Sequence, residues 1–84
     1  MIIGTENSVY RLSNEDGEVL LTKIEDKYPG GHPNVKVGDK IRGTKPRPPA
    51  VGQSFYVKRD WGTTQVLSIE PEQNDNLLQF NTAA

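Results

Sequence analysis

Nowhere in this chain do apolar residues keep a helical period; they recur at every second position, in short bursts broken by glycine and proline. That beat commits the chain to strands. In "SVYRLS" (Ser8–Ser13) it puts Tyr10 and Leu12 on one face and Val9 and Arg11 on the other. "NEDG" follows, and its Asp16-Gly17 pair accepts the positive φ angles of a tight hairpin turn. "EVLLTKI" (Glu18–Ile24) then returns as the partner strand.

The rest of the chain repeats the pattern in shorter pieces. "EDKYPGGHPNVKVG" reads as a long loop with Pro29, Gly30, Gly31 and Pro33 as breakers. "DKIRGT" is a short strand around Ile41, and "QSFYVKR" (Gln53–Arg59) sets Phe55 and Val57 on one face. "DWG" reads as a second turn built on Gly62, leading into a β-branched final strand, "TTQVLSI" (Thr63–Ile69). "VKVGDKI" and "PAVGQSF" echo each other: each is a Val-Gly turn followed, three residues after the glycine, by an apolar residue, Ile41 or Phe55. Too few residues are involved for a true repeat, so the echo is read as shared turn chemistry. The expectation is an all-β domain over residues 1–70, a single small antiparallel sheet or an SH3-like or OB-like barrel of about five strands. Residues 71–84 form a polar tail, either flexible or docked on a neighbouring subunit through Leu77, Leu78 and Phe80, because a small open sheet leaves an edge to cover.

Composition narrows the chemistry. Eighty-four residues, 33% of them hydrophobic, allow one domain with a thin core. A reserve of about 5 kcal/mol is typical of such a domain, and a homo-oligomer would add to it. Ten basic side chains against eleven acidic ones leave no global field for a long polyanion or an anionic membrane. Without cysteine there is neither a disulfide frame nor a thiolate metal site. The start carries no secretory signal and no apolar run approaches the roughly 20 residues of a bilayer span, so a soluble cytoplasmic protein is expected.

No catalytic constellation stands out. His32 is the one histidine and has no nucleophile or orienting acid in its vicinity. "PGGHPNVKVG" lacks the Gly-Lys-Ser/Thr ending of a phosphate-cradling loop. Glu15, Asp16, Glu18, Glu25 and Asp26 flank turns, where acids are commonly just hydrated, and they lack a calcium-loop rhythm. The reading is of a protein that binds without reacting, with no metal and no cofactor.

The least ordinary stretch is "GTKPRPPAVG". Pro46, Pro48 and Pro49 fix φ and remove backbone donors, so this segment cannot be a central strand. Lys45 and Arg47 therefore ride on a stiff, extended corner, ordered before any partner arrives. Pro46 and Pro49 have PxxP spacing, but flanking strands would hold the segment away from a free polyproline helix. Arg42, Lys45, Arg47, Lys58 and Arg59 fall in one short region with Tyr56 and Trp61 among them, and cationic forks beside aromatic faces are the parts that hold phosphates and stack bases. Thr63 and Thr64 add hydroxyls. The plainer explanation is that Trp61 covers a barrel end while the charges solvate edge strands.

"TENSVY" (5–10), the "PPAVGQSF" corner and "TTQVLSI" together resemble a group of small phage-encoded β proteins, which open with Thr-x-Asn-Ser-x-Tyr and close with a Thr-Thr/Ser-x-Val strand. This chain lacks the longer acidic insertion of many such proteins. The resemblance implies a compact accessory protein that antagonises host defence in the host cytoplasm, by covering a host protein or by capturing a nucleotide messenger. It also makes Asn7, Ser8 and Tyr10 candidate site residues, although Asn7 and Ser8 can simply satisfy backbone groups where a strand begins. The leading expectation is sequestration of a small phosphorylated, nucleotide-type ligand. Phosphates would pair with Lys45, Arg47 and Arg59, a base would stack on Tyr56 or Trp61, and Thr63 or Thr64 would hydrogen-bond. The alternatives are an inhibitor of a host enzyme or nuclease and a small-barrel nucleic-acid binder.

Overall fold

The computed structural model describes residues 1–28 and 35–82. The loop breakers Pro29 to Pro33, and His32 among them, lie outside the described residues. Six strands follow one another along the chain: β1 (Ile2–Thr5), β2 (Ser8–Glu15), β3 (Glu18–Asp26), β4 (Lys40–Gly43), β5 (Ser54–Lys58) and β6 (Trp61–Glu70). They form one antiparallel sheet in the order β4-β3-β2-β1-β6-β5. The chain is all-β, and the sheet curls into a nearly closed barrel.

The β2–β3 hairpin forms as its turn chemistry requires. Asp16 and Gly17 take φ of 54° and 80°, and Glu15 pairs with Glu18 across a two-residue loop. Tyr10 and Leu12 are buried while Arg11 is exposed.

The sixth strand is β1, absent from the sequence reading. It is four residues long and has no alternation of its own; it is a strand because β2 pairs with one side of it and β6 with the other. The second turn also differs from expectation. Lys58 pairs with Trp61, so the β5–β6 loop is Arg59-Asp60, and Gly62 lies inside β6 opposite Tyr56.

The outer strands β4 and β5 meet without forming a ladder. A Cβ placed on buried Gly43 would lie 1.7 Å from the carbonyl oxygen of Val57, so only a glycine lets the two backbones approach this closely. Inward side chains of five strands fill the interior: Ile3, Tyr10 and Leu12, Val19 and Leu21, Phe55, Val57 and Val66. Met1, Ile41, Trp61, Ile69 and Leu78 pack around them.

The two Val-Gly corners share more than composition. In each, the residue after glycine donates its N–H to the carbonyl three residues back, Asp39 to Lys36 (2.9 Å) and Gln53 to Ala50 (3.2 Å). Gly38 and Gly52 both have positive φ, at 96° and 91°, as a type II turn demands at that position. Each turn then brackets one residue of a long strand. Gly38 N–H donates to Lys23 O while Lys23 N–H donates to Asp39 O; Gly52 N–H donates to Val66 O while Val66 N–H donates to Gln53 O. Lys23 and Val66 are both fully buried.

Beyond β6 the chain runs back over its own sheet. Glu72 Oε1 and Asp75 Oδ1 accept hydrogen bonds from the Met1 ammonium at 2.9 and 2.6 Å, beside the 3₁₀ turn Asp75–Leu77. Leu78 packs on the core, and the Asn81 N–H donates to Pro46 O at 2.9 Å. Among the described residues, no helix is long and apolar enough to cross a membrane.

Candidate ligand-binding groove

Between the proline corner and β5 runs an open groove of about 1010 Å³. Its construction follows from the backbone. The corner leaves β4 at Gly43, against Val57, and comes back to β5 through the Ala50–Gln53 turn. Residues 44–50 therefore run alongside β5 in the opposite sense. No proline of the corner can pair with that strand as a ladder neighbour would, which is why a groove lies there instead of a seventh strand. Phe55 and Val57 point inward and form its floor, while the alternate residues Ser54, Tyr56 and Lys58 face out.

Four cations line this groove: Lys45 and Arg47 from the corner, Lys58 and Arg59 from the end of β5. Among the described residues, no carboxylate lines it. Among the described residues, no ion pair joins Lys45, Arg47 or Arg59 to an acid, and Lys58 has only the exposed Asp60, 4.0 Å away. In a chain of net charge −1 this is a concentrated patch of positive charge. Lys45 adds a strained backbone, with φ of 45°, a region that a residue with a Cβ occupies at a cost of about 1 kcal/mol or more.

Tyr56 gives the groove its ring. It remains 59% exposed, yet it is not loose: a Cβ on Gly62 would come within 2.6 Å of the Tyr56 Cδ1 and Cε1 atoms. The ring rests against bare glycine backbone across the strand pair, an arrangement that holds an aromatic side chain in place while leaving it open to solvent.

The other residues singled out from sequence are placed elsewhere. Arg42 ion-pairs with Glu15 at 2.9 Å near the hairpin turn, and its hydrogen bond and charge hold the Glu15 carboxyl below the usual carboxylate range. Trp61 is half-buried and meets core Tyr10 edge to face, ring centres 6.2 Å apart, so both rings serve packing. Thr63 is buried, and its Oγ1 accepts the Phe55 N–H (3.1 Å) and donates to Thr64 O (2.6 Å). It thereby satisfies the backbone donor that the β5–β6 register shift between Ser54 and Tyr56 leaves without a ladder partner. Thr64 is exposed on β6 and does not line the groove.

The "TENS" stretch is a turn device. Thr5 Oγ1 donates to Ser8 O and accepts the Ser8 N–H, while Asn7 O accepts the Lys27 N–H at 2.9 Å. Ser8 Oγ is buried without a partner among the described residues.

Gln53, Ser54, Thr44 and Asn81 complete the lining and escaped the sequence reading. The first two sit at alternating or turn positions that carry no chemical signal. Asn81 arrives only because the tail crosses the sheet and bonds to Pro46, which no local pattern announces. Compared with known proteins, the chain matches no family model, and no curated protein and no solved structure matches it.

Proposed function

We propose that this protein binds a compact phosphorylated ligand of nucleotide type in the groove between the proline corner and β5, without transforming it. The observation that carries the reading is the gathering of four cations and an open, backed aromatic ring in one hollow, with no carboxylate among the described residues that line it, in a chain whose charges nearly cancel overall. Guanidinium and ammonium groups supply charge-assisted hydrogen bonds to phosphate oxygens, and an exposed ring supplies a stacking surface. The Pro-rich wall is stiff, so little conformational freedom is lost when the ligand docks. Alongside the resemblance to small phage-encoded β proteins, this is the equipment of a sequestering protein that withdraws a nucleotide-type signal and so antagonises host defence.

The test is isothermal titration of the protein against inorganic pyrophosphate, nucleoside phosphates and cyclic dinucleotides, with mass spectrometry of the recovered ligand. Saturable binding of at least one phosphorylated nucleotide, returned chemically unchanged, is expected. Binding should disappear when Lys45, Arg47, Lys58 and Arg59 are all changed to Met. Absence of heat across the whole panel, or binding untouched by that fourfold variant, overturns the reading.

A further inference from the structure

The groove is not uniform along its length. The corner begins where Gly43 meets Val57 and ends where Ala50 O accepts the Gln53 N–H. One end is therefore bounded by Thr44, Lys45, Lys58 and Arg59, and the other by Ala50, Gln53 and Ser54. Three of the four cations sit at the first end and none at the second, while Arg47 stands between them along the corner. Tyr56 lies two residues from Ser54 on one side and from Lys58 on the other, about 7 Å along the strand each way.

We infer that the groove is polarised, with a phosphate end at Lys45, Lys58 and Arg59 and a base end at Gln53 and Ser54, so that its ligand is a nucleoside carrying all its phosphates at one terminus. The inference rests on the groove reading above and sharpens it. A terminal di- or triphosphate places its charges together, where three cations can share them. A cyclic dinucleotide holds two phosphates on separate edges of one ring and would leave one of them at the uncharged end. The base end offers an amide, which both donates and accepts, and a hydroxyl, which does the same; those are the groups that read the edge of a heterocycle. The two are separated by the Tyr56 ring, at the position where a base or sugar of such a ligand falls.

Gly62 is a positioning residue for this arrangement. Any side chain there would push the Tyr56 ring off its seat, because the collision is with ring atoms at 2.6 Å. Tyr56 itself accepts this change by moving, so the fold need not fail with it.

The experiment compares adenosine and guanosine carrying zero to three 5′-phosphates with a cyclic dinucleotide, by titration at several salt concentrations. Affinity is expected to rise about tenfold with each of the first two phosphates, as charge-assisted hydrogen bonds accumulate. Lys58→Met and Arg59→Met should flatten both that rise and the salt dependence. Tyr56→Ala should weaken every nucleotide about tenfold without changing the salt slope, Tyr56→Phe should restore binding, and Gly62→Ala should resemble Tyr56→Ala. Gln53→Ala should alter the adenosine-to-guanosine preference alone. A cyclic dinucleotide binding more tightly than the triphosphates, or affinity indifferent to phosphate number, would overturn the polarity while leaving groove binding intact. Silence from every probe would remove the groove reading and this inference with it.

Discussion

The two Val-Gly corners solve one backbone problem twice and spend the solution differently. At Val37-Gly38 the bracketed residue is Lys23, whose Nζ donates to Val35 O at 2.8 Å and pairs with Asp26, all at zero exposure for the lysine. At Val51-Gly52 it is Val66, embedded in the apolar cluster. Both occupy strand positions where the partner strand shifts register, between Val9 and Tyr10 in one case and between Gly4 and Thr5 in the other. The turn and its three backbone bonds are indifferent to what they enclose. What each corner does is decided by the residues around it: a buried ion pair at the first, a stiff cationic wall at the second.

The sharpest way to break this picture lies where the second corner begins. Gly43→Ala should destabilise the protein by about 3 kcal/mol or more, since the added methyl meets backbone that cannot rotate away. Chemical denaturation would show it, and a near-neutral result would mean that β4 and β5 are not held in contact.

The enclosed residues come next. Lys23→Ala removes the donor from a buried carbonyl and leaves a void, for an expected loss of about 3 kcal/mol. Lys23→Met fills the space but leaves Val35 O and the buried Asp26 Oδ1 without the ammonium, so it should recover only the part of the loss that the void causes. Val66→Ala should cost about 2 kcal/mol through its cavity. If Lys23→Met were as damaging as Lys23→Ala, the ion pair would be essential to its corner, and the two corners would differ in mechanism as well as content.

Gly38→Ala and Gly52→Ala test the shared device itself. Both glycines have positive φ and open space around the missing Cβ, so each change should lower stability by about 1 kcal/mol. Clearly unequal melting shifts would end the equivalence.

Lys45→Asn should leave stability unchanged or raise it by up to about 1 kcal/mol, because asparagine tolerates the left-handed region that lysine occupies under strain. Nucleotide affinity should fall in the same variant, separating the role of the charge from that of the backbone.

The smallest effect belongs to the tail, which walls the groove at Asn81. The hydrogen bonds and charge of the Met1 ammonium hold the Glu72 and Asp75 carboxyls below their ordinary range. A carboxyl depressed by folding contributes stability that is fully present above its unfolded value of about 4 and is lost as pH falls through the folded value. Amide exchange at Leu78 should therefore accelerate below about pH 4, before exchange in β2 and β3 does.

Much of the barrel was legible in local pattern. The period-two runs around Tyr10, Leu12, Phe55 and Val57 and the Asp16-Gly17 turn each encode their outcome within a few residues, because alternation and positive φ are short-range constraints. The groove was half legible for the same reason. Lys45, Arg47, Tyr56 and Arg59 are near in sequence to a corner whose prolines forbid a ladder. Trp61 and Thr63 looked equivalent to them in composition and went to the edge of the core and to a backbone donor left without a ladder partner.

The sequence alone determined that this chain is β throughout, where the Asp16-Gly17 turn and the two Val-Gly turns fall, and that a rigid cationic corner must lie outside the ladder, since each of these follows from torsional limits of residues close together. Only the tertiary structure decided that β1 is a strand, that Gly43 seats β4 against β5, that Gly62 backs Tyr56 and that the tail reaches Pro46. Those depend on which distant backbones come within a few ångströms of each other, and that is set by how the whole sheet curls around its few buried side chains.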